Sequence, residues 1–347
     1  MYLTAFCVLQ VINAENMFSL DPALIPKFYE AYKDDPVMQS VDAFLCYDPP
    51  AICQLYEPFN KSLIIIATNR YYITRQSHER WQKWNEDLVH YASDPRNVIA
   101  ANNCYDVQMI HYFTGLDAEW IPAFAGYTST TYNPTRPGFL LSKRRVDKEF
   151  NWIFLHQFKE ACKSLSRDLP VPELIQIEDR YPTYKYDDLA MHRGIVHLPY
   201  QVSTMSIFEQ YRMNIPLFFP SKALLLQWSI ERWVVRERTL PWLVRDPRPF
   251  TFPPHSSQQH IPSPNNNDDA VALKYWLQFA DYYTLPHITY FNSSWHLAEI
   301  LQRLTLEDLH AISLQMKKFN EQSKIKLLKT WTRILLAVAK FSPNHPH

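Results

Sequence analysis

Residues 198–220 read LPYQVSTMSIFEQYRMNIPLFFP, and the order of apolar and polar residues in this stretch decides the fold. An apolar run over 195–198 predicts a buried strand that ends at a proline. A polar turn follows, and the pattern over 206–213 predicts a helix. Residues 216–219 are apolar again and predict a second strand. A helix between two buried strands is typical of a parallel α/β layer.

The same alternation of short apolar runs and amphipathic stretches extends in both directions. Because strands alternate with helices, the fold class predicted is α/β with parallel sheets. The predicted strands are 41–47, 63–67, 97–101, 119–124, 139–142, 173–177, 195–198 and 216–219. The aromatic segment 276–295 either contains a last strand, over 287–291, or closes a ligand cleft. The predicted helices are 76–91, 106–113, 150–164, 186–192, 206–213 and 224–235, followed by a nearly all-helical tail over 297–341.

A turn-rich segment interrupts this alternation at 133–138 (NPTRPG), which holds two prolines and a glycine. We therefore predict a first domain over 1–135 and a second over 136–296. Residues 246–269 are rich in Pro, Ser, Asn and His without periodicity, and this composition predicts a flexible insertion in the second domain. Residues 297–347 are predicted to form a helical segment that packs across the two domains.

The amino-acid composition argues against several classes of protein. The 35 Lys and Arg residues balance 35 Asp and Glu residues, which argues against a protein built mainly to bind nucleic acid. The five cysteines form no CxxC pair, so neither a zinc site nor a disulfide framework is indicated. No apolar run approaches the roughly 20 residues that span a bilayer, and no clear signal peptide is present. Cytoplasm and secretory pathway both stay open.

The polar turn and the helix after it carry the candidate ligand chemistry. The free N–H groups and the positive dipole end of a helix start favour a phosphate, and hydroxyls from Ser203, Thr204 and Ser206 can add hydrogen bonds. One turn into the helix, the Glu209 carboxylate can accept hydrogen bonds from both ribose hydroxyls. The alternative is structural: an ordinary helix cap, followed by a surface carboxylate that complements the dipole.

The segment resembles the donor-site signature of the GT-B superfamily of glycosyltransferases, especially of its retaining members. That signature has two glutamates with seven residues between them, and a proline that opens a strand seven positions after the second. Glu209 and Pro216 match the second half, while Gln201 stands where the family has its first glutamate. The resemblance implies two Rossmann-like domains, and Gln201 becomes the candidate catalytic residue.

A basic cluster supports the likeness. After the first strand of its second domain the family has Gly-Arg and a lysine five residues beyond, which bind the donor diphosphate. This chain has Ser142 in place of the glycine, then Lys143, Arg144 and Lys148. The resemblance implies that these basic residues bind the donor without a metal ion or other cofactor. A solvated basic turn is the alternative.

The resemblance implies a hexosyltransferase-like enzyme that moves a sugar from a nucleotide sugar to a carbohydrate, lipid or protein acceptor. Gln201 and Ser142 also favour the alternative, a GT-B-like chain that binds sugar nucleotides or partners without catalysis. The family usually opens with a strand and a Gly-rich loop. Neither occurs here, so a complete and a truncated first domain both remain expectations. His111, Asp106 and Asp48 are ionisable candidates in that domain, each more simply explained as structural.

The last helix, predicted over 324–341, places Ile325, Leu328, Trp331, Leu335 and Val338 on one face and lysines elsewhere. This pattern is typical of a helix lying on an anionic membrane surface. The alternative is the C-terminal helix that GT-B chains fold back across the domain junction.

Overall fold

The strand at Ser62–Ala67 is buried along its whole length, and it belongs to one of two parallel sheets. The computed structural model describes Ile12 and residues 20–68, 71, 78–142, 148–165, 168–235, 253–264 and 269–341. These residues fall into two units, one with the first sheet and one with the second. The predicted α/β class with parallel strands is confirmed.

The first unit contains a sheet whose strands are hydrogen-bonded in chain order, all of them parallel. Its strands are β1 (Ala43–Cys46), β2 (Ser62–Ala67), β3 (Val98–Ala101) and β4 (Glu119–Trp120). Its helices up to β4 are α1 (Leu24–Tyr32), α2 (Pro36–Ser40), α3 (Cys53–Tyr56), α4 (His78–Ser93) and α5 (Cys104–Thr114). The strand predicted over 119–124 is shorter in the structure, where β4 ends before Ile121 and Pro122.

The second unit contains a parallel sheet with the order β6-β5-β7-β8-β9. Its strands are β5 (Phe139–Leu141), β6 (Leu174–Gln176), β7 (Ile195–Val196), β8 (Leu217–Pro220) and β9 (Thr289–Phe291). Its helices are α6 (Lys148–Lys163), α7 (Ile177–Arg180), α8 (Tyr186–Ala190), α9 (Met205–Arg212), α10 (Lys222–Arg232), α11 (Ala270–Leu277), α12 (Asp281–Thr284) and α13 (Ser294–Arg303).

Gly194 explains how closely β7 and β8 can pair. A Cβ atom at this position would lie 2.7 Å from the Phe218 ring and 2.8 Å from the carbonyl oxygen of Pro216. Both distances are shorter than side chains tolerate, so glycine is required where β7 begins. Phe139 of β5 and Phe218 of β8 then meet on one face of the sheet, with ring centroids 5.6 Å apart, and Phe219 is buried on the other face.

A continuous helix, α14 (Leu306–Lys340), follows α13. Its residues up to Lys326 belong to the second unit and those from Leu327 to the first. In the first unit, Ile334 and Val338 pack against Ile64, Ile66 and Ala100 of β2 and β3. Within the described part of the chain, no helix has both the length and the apolar character needed to cross a bilayer.

The single apolar face predicted for this helix is wrong. Val338 is buried, but Ile325 and Leu328 are more than half exposed. At about 100° per residue, Ile325 and Val338 lie about 140° apart around the helix, so one can be exposed while the other is buried. The helix instead has two apolar faces: an inner one that includes Ile334 and Val338, and an outer one that includes Ile325 and Leu328.

The unit boundaries differ from the predicted ones. The first unit ends at Pro122, and residues 133–138 lie inside the second unit. Residues 253–264, from the predicted insertion, belong to the first unit: the His255 N–H donates to the Tyr112 carbonyl oxygen at 2.9 Å. The imidazole of His255 also fits directly over Gly115, which ends α5 with φ +74°. Residues 246–252 and 265–268 lie outside the described residues, and Asp269 caps α11 in the second unit.

Candidate functional site in the second sheet

The chain changes direction across the second sheet between β5 and β7. From β5 it runs outward to β6, then returns past β5 to β7 and continues to β8 and β9. In open α/β sheets of this kind, ligands bind in the crevice beyond the carboxyl ends of the two strands at the switch point. Ser142 lies at that edge, because its N–H donates to the Val196 carbonyl oxygen at 2.9 Å.

Helix α9 begins at the same edge, after the turn that follows β7. Thr204 is its N-cap residue, but the Thr204 side chain makes no capping hydrogen bond. Its hydroxyl lies 3.2 Å from the Ser206 hydroxyl instead. Ser203 is buried. The predicted hydroxyl-rich helix start is therefore present, with Thr204 and Ser206 side by side and the first-turn amides uncapped by a side chain.

Glu209 lies three residues after Ser206, and residues with this spacing share a helix face. Two tyrosine hydroxyls donate to the same carboxylate oxygen, Oε1: Tyr127 at 2.5 Å and Tyr186 at 2.8 Å. Tyr127 comes from the segment before β5 and Tyr186 from the start of α8. Both hydroxyls fix the orientation of the carboxylate, since they bind one oxygen from two different segments.

The second oxygen of Glu209, Oε2, accepts no hydrogen bond from any described residue. Burial and the hydrogen bond to Glu209 raise the pKa of Tyr127, and the same two causes raise the pKa of Tyr186. Both phenols therefore stay protonated at neutral pH and remain donors. The site thus presents one carboxylate oxygen that is held and one that can accept a hydrogen bond from a ligand hydroxyl.

A buried hydrogen bond between two side chains connects α9 to the end of β7. The ring of His197, directly after β7, donates from Nε2 to the Gln210 side-chain oxygen at 2.7 Å. The same ring stacks on Phe219, with centroids 4.5 Å apart and planes 5° apart. Complete burial lowers the pKa of His197 to about 4. His197 is therefore neutral at neutral pH, and it ties α9 to β7 and β8.

The other predicted site residues are only partly described. Gln201 is half-buried in the turn after β7, and its side-chain amide makes no hydrogen bond with the described residues. Next to it, the Val202 carbonyl oxygen accepts from the Asp281 N–H at 2.9 Å, which holds the turn. Lys143 and Arg144 lie outside the described residues, as does the side chain of Lys148.

Two of the first-domain candidates have structural partners. The Asp106 carboxylate accepts hydrogen bonds from the Tyr71 N–H at 3.1 Å and the Asn103 amide at 2.7 Å. His111 lies 2.8 Å from the Gln258 amide through Nε2. Burial raises the pKa of the third candidate, Asp48. Asp106 and His111 therefore connect segments within the first unit.

Tyr127 and Tyr186 are the site residues that sequence reasoning did not identify. Tyr127 is 82 residues from Glu209 along the chain and Tyr186 is 23 residues away, so no local spacing connects them. Tyr127 is also 64% exposed. In the sequence, Tyr127 lies just before a predicted domain boundary. That position alone does not identify a tyrosine as part of a binding site.

Comparison with models of known families, with curated proteins and with solved structures found no match to this chain.

Proposed function

We propose that this protein is a glycosyltransferase that binds a nucleotide-sugar donor at the carboxyl edge of β5 and β7. The observation that carries the proposal is Glu209, whose Oε1 is fixed by Tyr127 and Tyr186 while Oε2 accepts no hydrogen bond from the described part of the chain. The carboxylate sits on a helix that starts at the switch point of its sheet, which is where such sheets bind nucleotides.

In this proposal each part of the donor meets a different part of the site. A ribose hydroxyl donates to Oε2 of Glu209. The diphosphate lies at the start of α9, where first-turn amides without a side-chain cap and the helix dipole favour an anion. Lys143, Arg144 and Lys148 contribute positive charge to the leaving nucleotide diphosphate. Positioning and stabilisation of that leaving group then supply most of the rate acceleration.

One observation favours a second candidate function, a GT-B-like protein that binds sugar nucleotides without transferring the sugar. Gln201 stands where the resemblance implies a glutamate that faces the donor sugar. An amide carries no negative charge, so it cannot stabilise the positive charge that develops at the reacting carbon. Binding through Glu209 does not need that charge, and both candidate functions therefore share the same donor site.

The test is a panel of UDP-, GDP- and ADP-sugars with the full chain, read by thermal shift and by release of free nucleotide. A rise in Tm with nucleotide release supports the transferase, and a rise without release supports the binding protein. In both cases Glu209→Ala should reduce the rise. No rise with any of these nucleotides, confirmed by calorimetry, contradicts both functions.

A further inference from the structure

The outer face of α14 carries exposed aliphatic side chains that the fold does not use. Ile325 is 56% exposed, Leu328 58%, Leu335 36% and Leu336 60%. At about 100° per residue these four side chains lie within about 100° of one another around the helix, and they extend about 16 Å along it. We call them the outer stripe. They lie on one side of the helix as two apolar groups, Ile325 with Leu328 and Leu335 with Leu336, with the exposed Thr332 between them.

The outer stripe is separate from the face that holds the helix in place. Ile334 and Val338 are buried in the core of the first unit, and Leu327 and Trp331 pack beside them. The inner face therefore already supplies the contacts that attach the helix to its sheet. A group of exposed apolar side chains on one side of a helix marks an interaction surface more often than a fold requirement.

The charges on α14 from residue 322 to its end have one sign, and the nearest acidic residue of the helix is Glu321, one turn before Ile325 on the same face. Residues 322–341 contain no Asp or Glu, although the whole chain has equal numbers of acidic and basic residues. Five basic residues lie in this segment: Lys324, Lys326, Lys329, Arg333 and Lys340. Arg333 pairs with Glu119. Lys329 and Lys340 flank the stripe on one side and Lys324 on the other, as the helical angle of about 100° per residue requires.

We propose that the outer stripe binds an anionic lipid surface, with α14 lying parallel to the membrane plane. Its aliphatic side chains enter the boundary between headgroups and acyl chains, and the flanking lysines reach the acidic headgroups. A nucleic acid would use the charge but would leave the aliphatic side chains exposed to water. A second copy of the chain would bring two basic segments together, and like charges disfavour that contact.

The experiment is sedimentation of the full-length protein with vesicles at about 50 mM salt, where surface charges are weakly screened. One set of vesicles is pure phosphatidylcholine, and the other contains about 30% phosphatidylserine. We expect the protein to sediment with the phosphatidylserine vesicles on the order of tenfold more strongly than with the neutral ones, and to be released at about 0.5 M salt.

Two double variants separate the aliphatic and the charged contributions. Leu328→Glu with Leu335→Glu should reduce vesicle binding by about tenfold or more, because it places carboxylates in the stripe. Lys329→Glu with Lys340→Glu should reduce binding to phosphatidylserine to the level seen with neutral vesicles. The matched controls are Leu169→Glu with Val171→Glu, at two exposed aliphatic residues elsewhere, and Lys27→Glu with Lys274→Glu. These controls should bind like the parent.

All positions in the test are exposed, and an unchanged Tm and circular dichroism spectrum establish that each variant is folded. The proposal is overturned if the folded parent binds neither vesicle, or if Leu328→Glu with Leu335→Glu leaves binding unchanged. It is also overturned if light scattering shows a dimer that the same variant dissociates, with no lipid binding by the parent.

Discussion

The Tyr186 hydroxyl lies 2.8 Å from Oε1 of Glu209, and the Tyr127 hydroxyl reaches the same oxygen from a segment 59 residues earlier in the chain. A carboxylate on a helix surface normally samples several rotamers, and ordering it costs side-chain entropy. Here two phenols have already fixed the orientation. A ligand that donates to Oε2 would therefore meet a carboxylate that is preorganised for binding.

Replacing Glu209 with Ala should weaken binding of the donor nucleotide by roughly 1–3 kcal/mol, the usual loss for a charged hydrogen bond. Calorimetric titration with the nucleotide that gives the largest thermal shift measures this effect. Glu231→Ala, at an exposed glutamate on α10, is the matched control and should bind like the parent. The assignment of Glu209 to the ribose is wrong if Glu209→Ala keeps the parent's affinity for every nucleotide.

Tyr127→Phe and Tyr186→Phe should each weaken nucleotide binding by about 0.5–1.5 kcal/mol, although neither hydroxyl is assigned a ligand contact. The physical reason is that each substitution frees the carboxylate without removing it. Because both phenols bind one oxygen, the double substitution should cost a different amount from the sum of the two. Tyr47→Phe, at a half-exposed tyrosine in the first unit, should have no effect.

A double-mutant cycle tests whether these two substitutions weaken nucleotide binding through Glu209. In the Glu209→Ala background, Tyr127→Phe and Tyr186→Phe should produce almost no further loss of affinity, as a double-mutant cycle would show. Full and additive losses in that background would mean that the phenols contact the nucleotide themselves, and the positioning role would have to be abandoned.

His197 should make the stability of the protein depend on pH between about 4 and 6.5. Burial lowers the pKa of His197 to about 4, from 6.5 for an ordinary histidine. The unfolded chain therefore binds a proton in this interval that the folded chain does not, and the free energy of unfolding decreases as pH falls. The decrease from this one group is about 3 kcal/mol, at about 1.36 kcal/mol per pKa unit.

Urea unfolding at pH 7 and pH 4.5 tests this expectation. His197→Asn removes the titrating group, so its free energy of unfolding should decrease less between the two pH values than that of the parent. His192, whose pKa is also lowered by burial, remains in both proteins and cancels in the comparison. His260→Asn, at an exposed histidine, should follow the parent; equal decreases for His197→Asn and the parent would contradict the assignment.

Sequence patterns predicted the local order of this fold but not its long-range pairs. The run LIIIA and the helix from about 206 follow directly from apolar periodicity, and the structure has β2 and α9 there. The contact of Tyr127 with Glu209 depends on how the segment before β5 returns to α9, which no local pattern encodes. The two faces of α14 were missed because adjacent apolar residues satisfy more than one helical stripe.

Residues 253–264 give a second example of a long-range contact that sequence patterns do not predict. Their composition is poor in apolar residues, which favours a flexible segment. The contact that holds them is instead made by His255 over Gly115, and it requires a residue without a Cβ atom at a φ of +74°. Such a steric match between positions 140 residues apart cannot be read from composition.

The proposed function assigns the basic cluster of Lys143, Arg144 and Lys148 to the donor diphosphate. Ser142 donates to Val196 at the carboxyl edge of the sheet, so the cluster follows in sequence directly from the edge where α9 begins. Changing Arg144 and Lys148 together to Glu should lower the affinity for a nucleotide diphosphate on the order of tenfold or more, since charged contacts to phosphate are lost and repulsion replaces them.

The affinity of the parent should also fall as salt rises, because exposed charges are screened over about 8–10 Å at physiological ionic strength. The variant should show a weaker salt dependence. Lys159→Glu with Lys274→Glu changes the net charge equally at exposed positions of the same unit and should leave both quantities near those of the parent. If Arg144→Glu with Lys148→Glu binds like this control across the salt series, the cluster is a solvated turn and the diphosphate must be held by other groups.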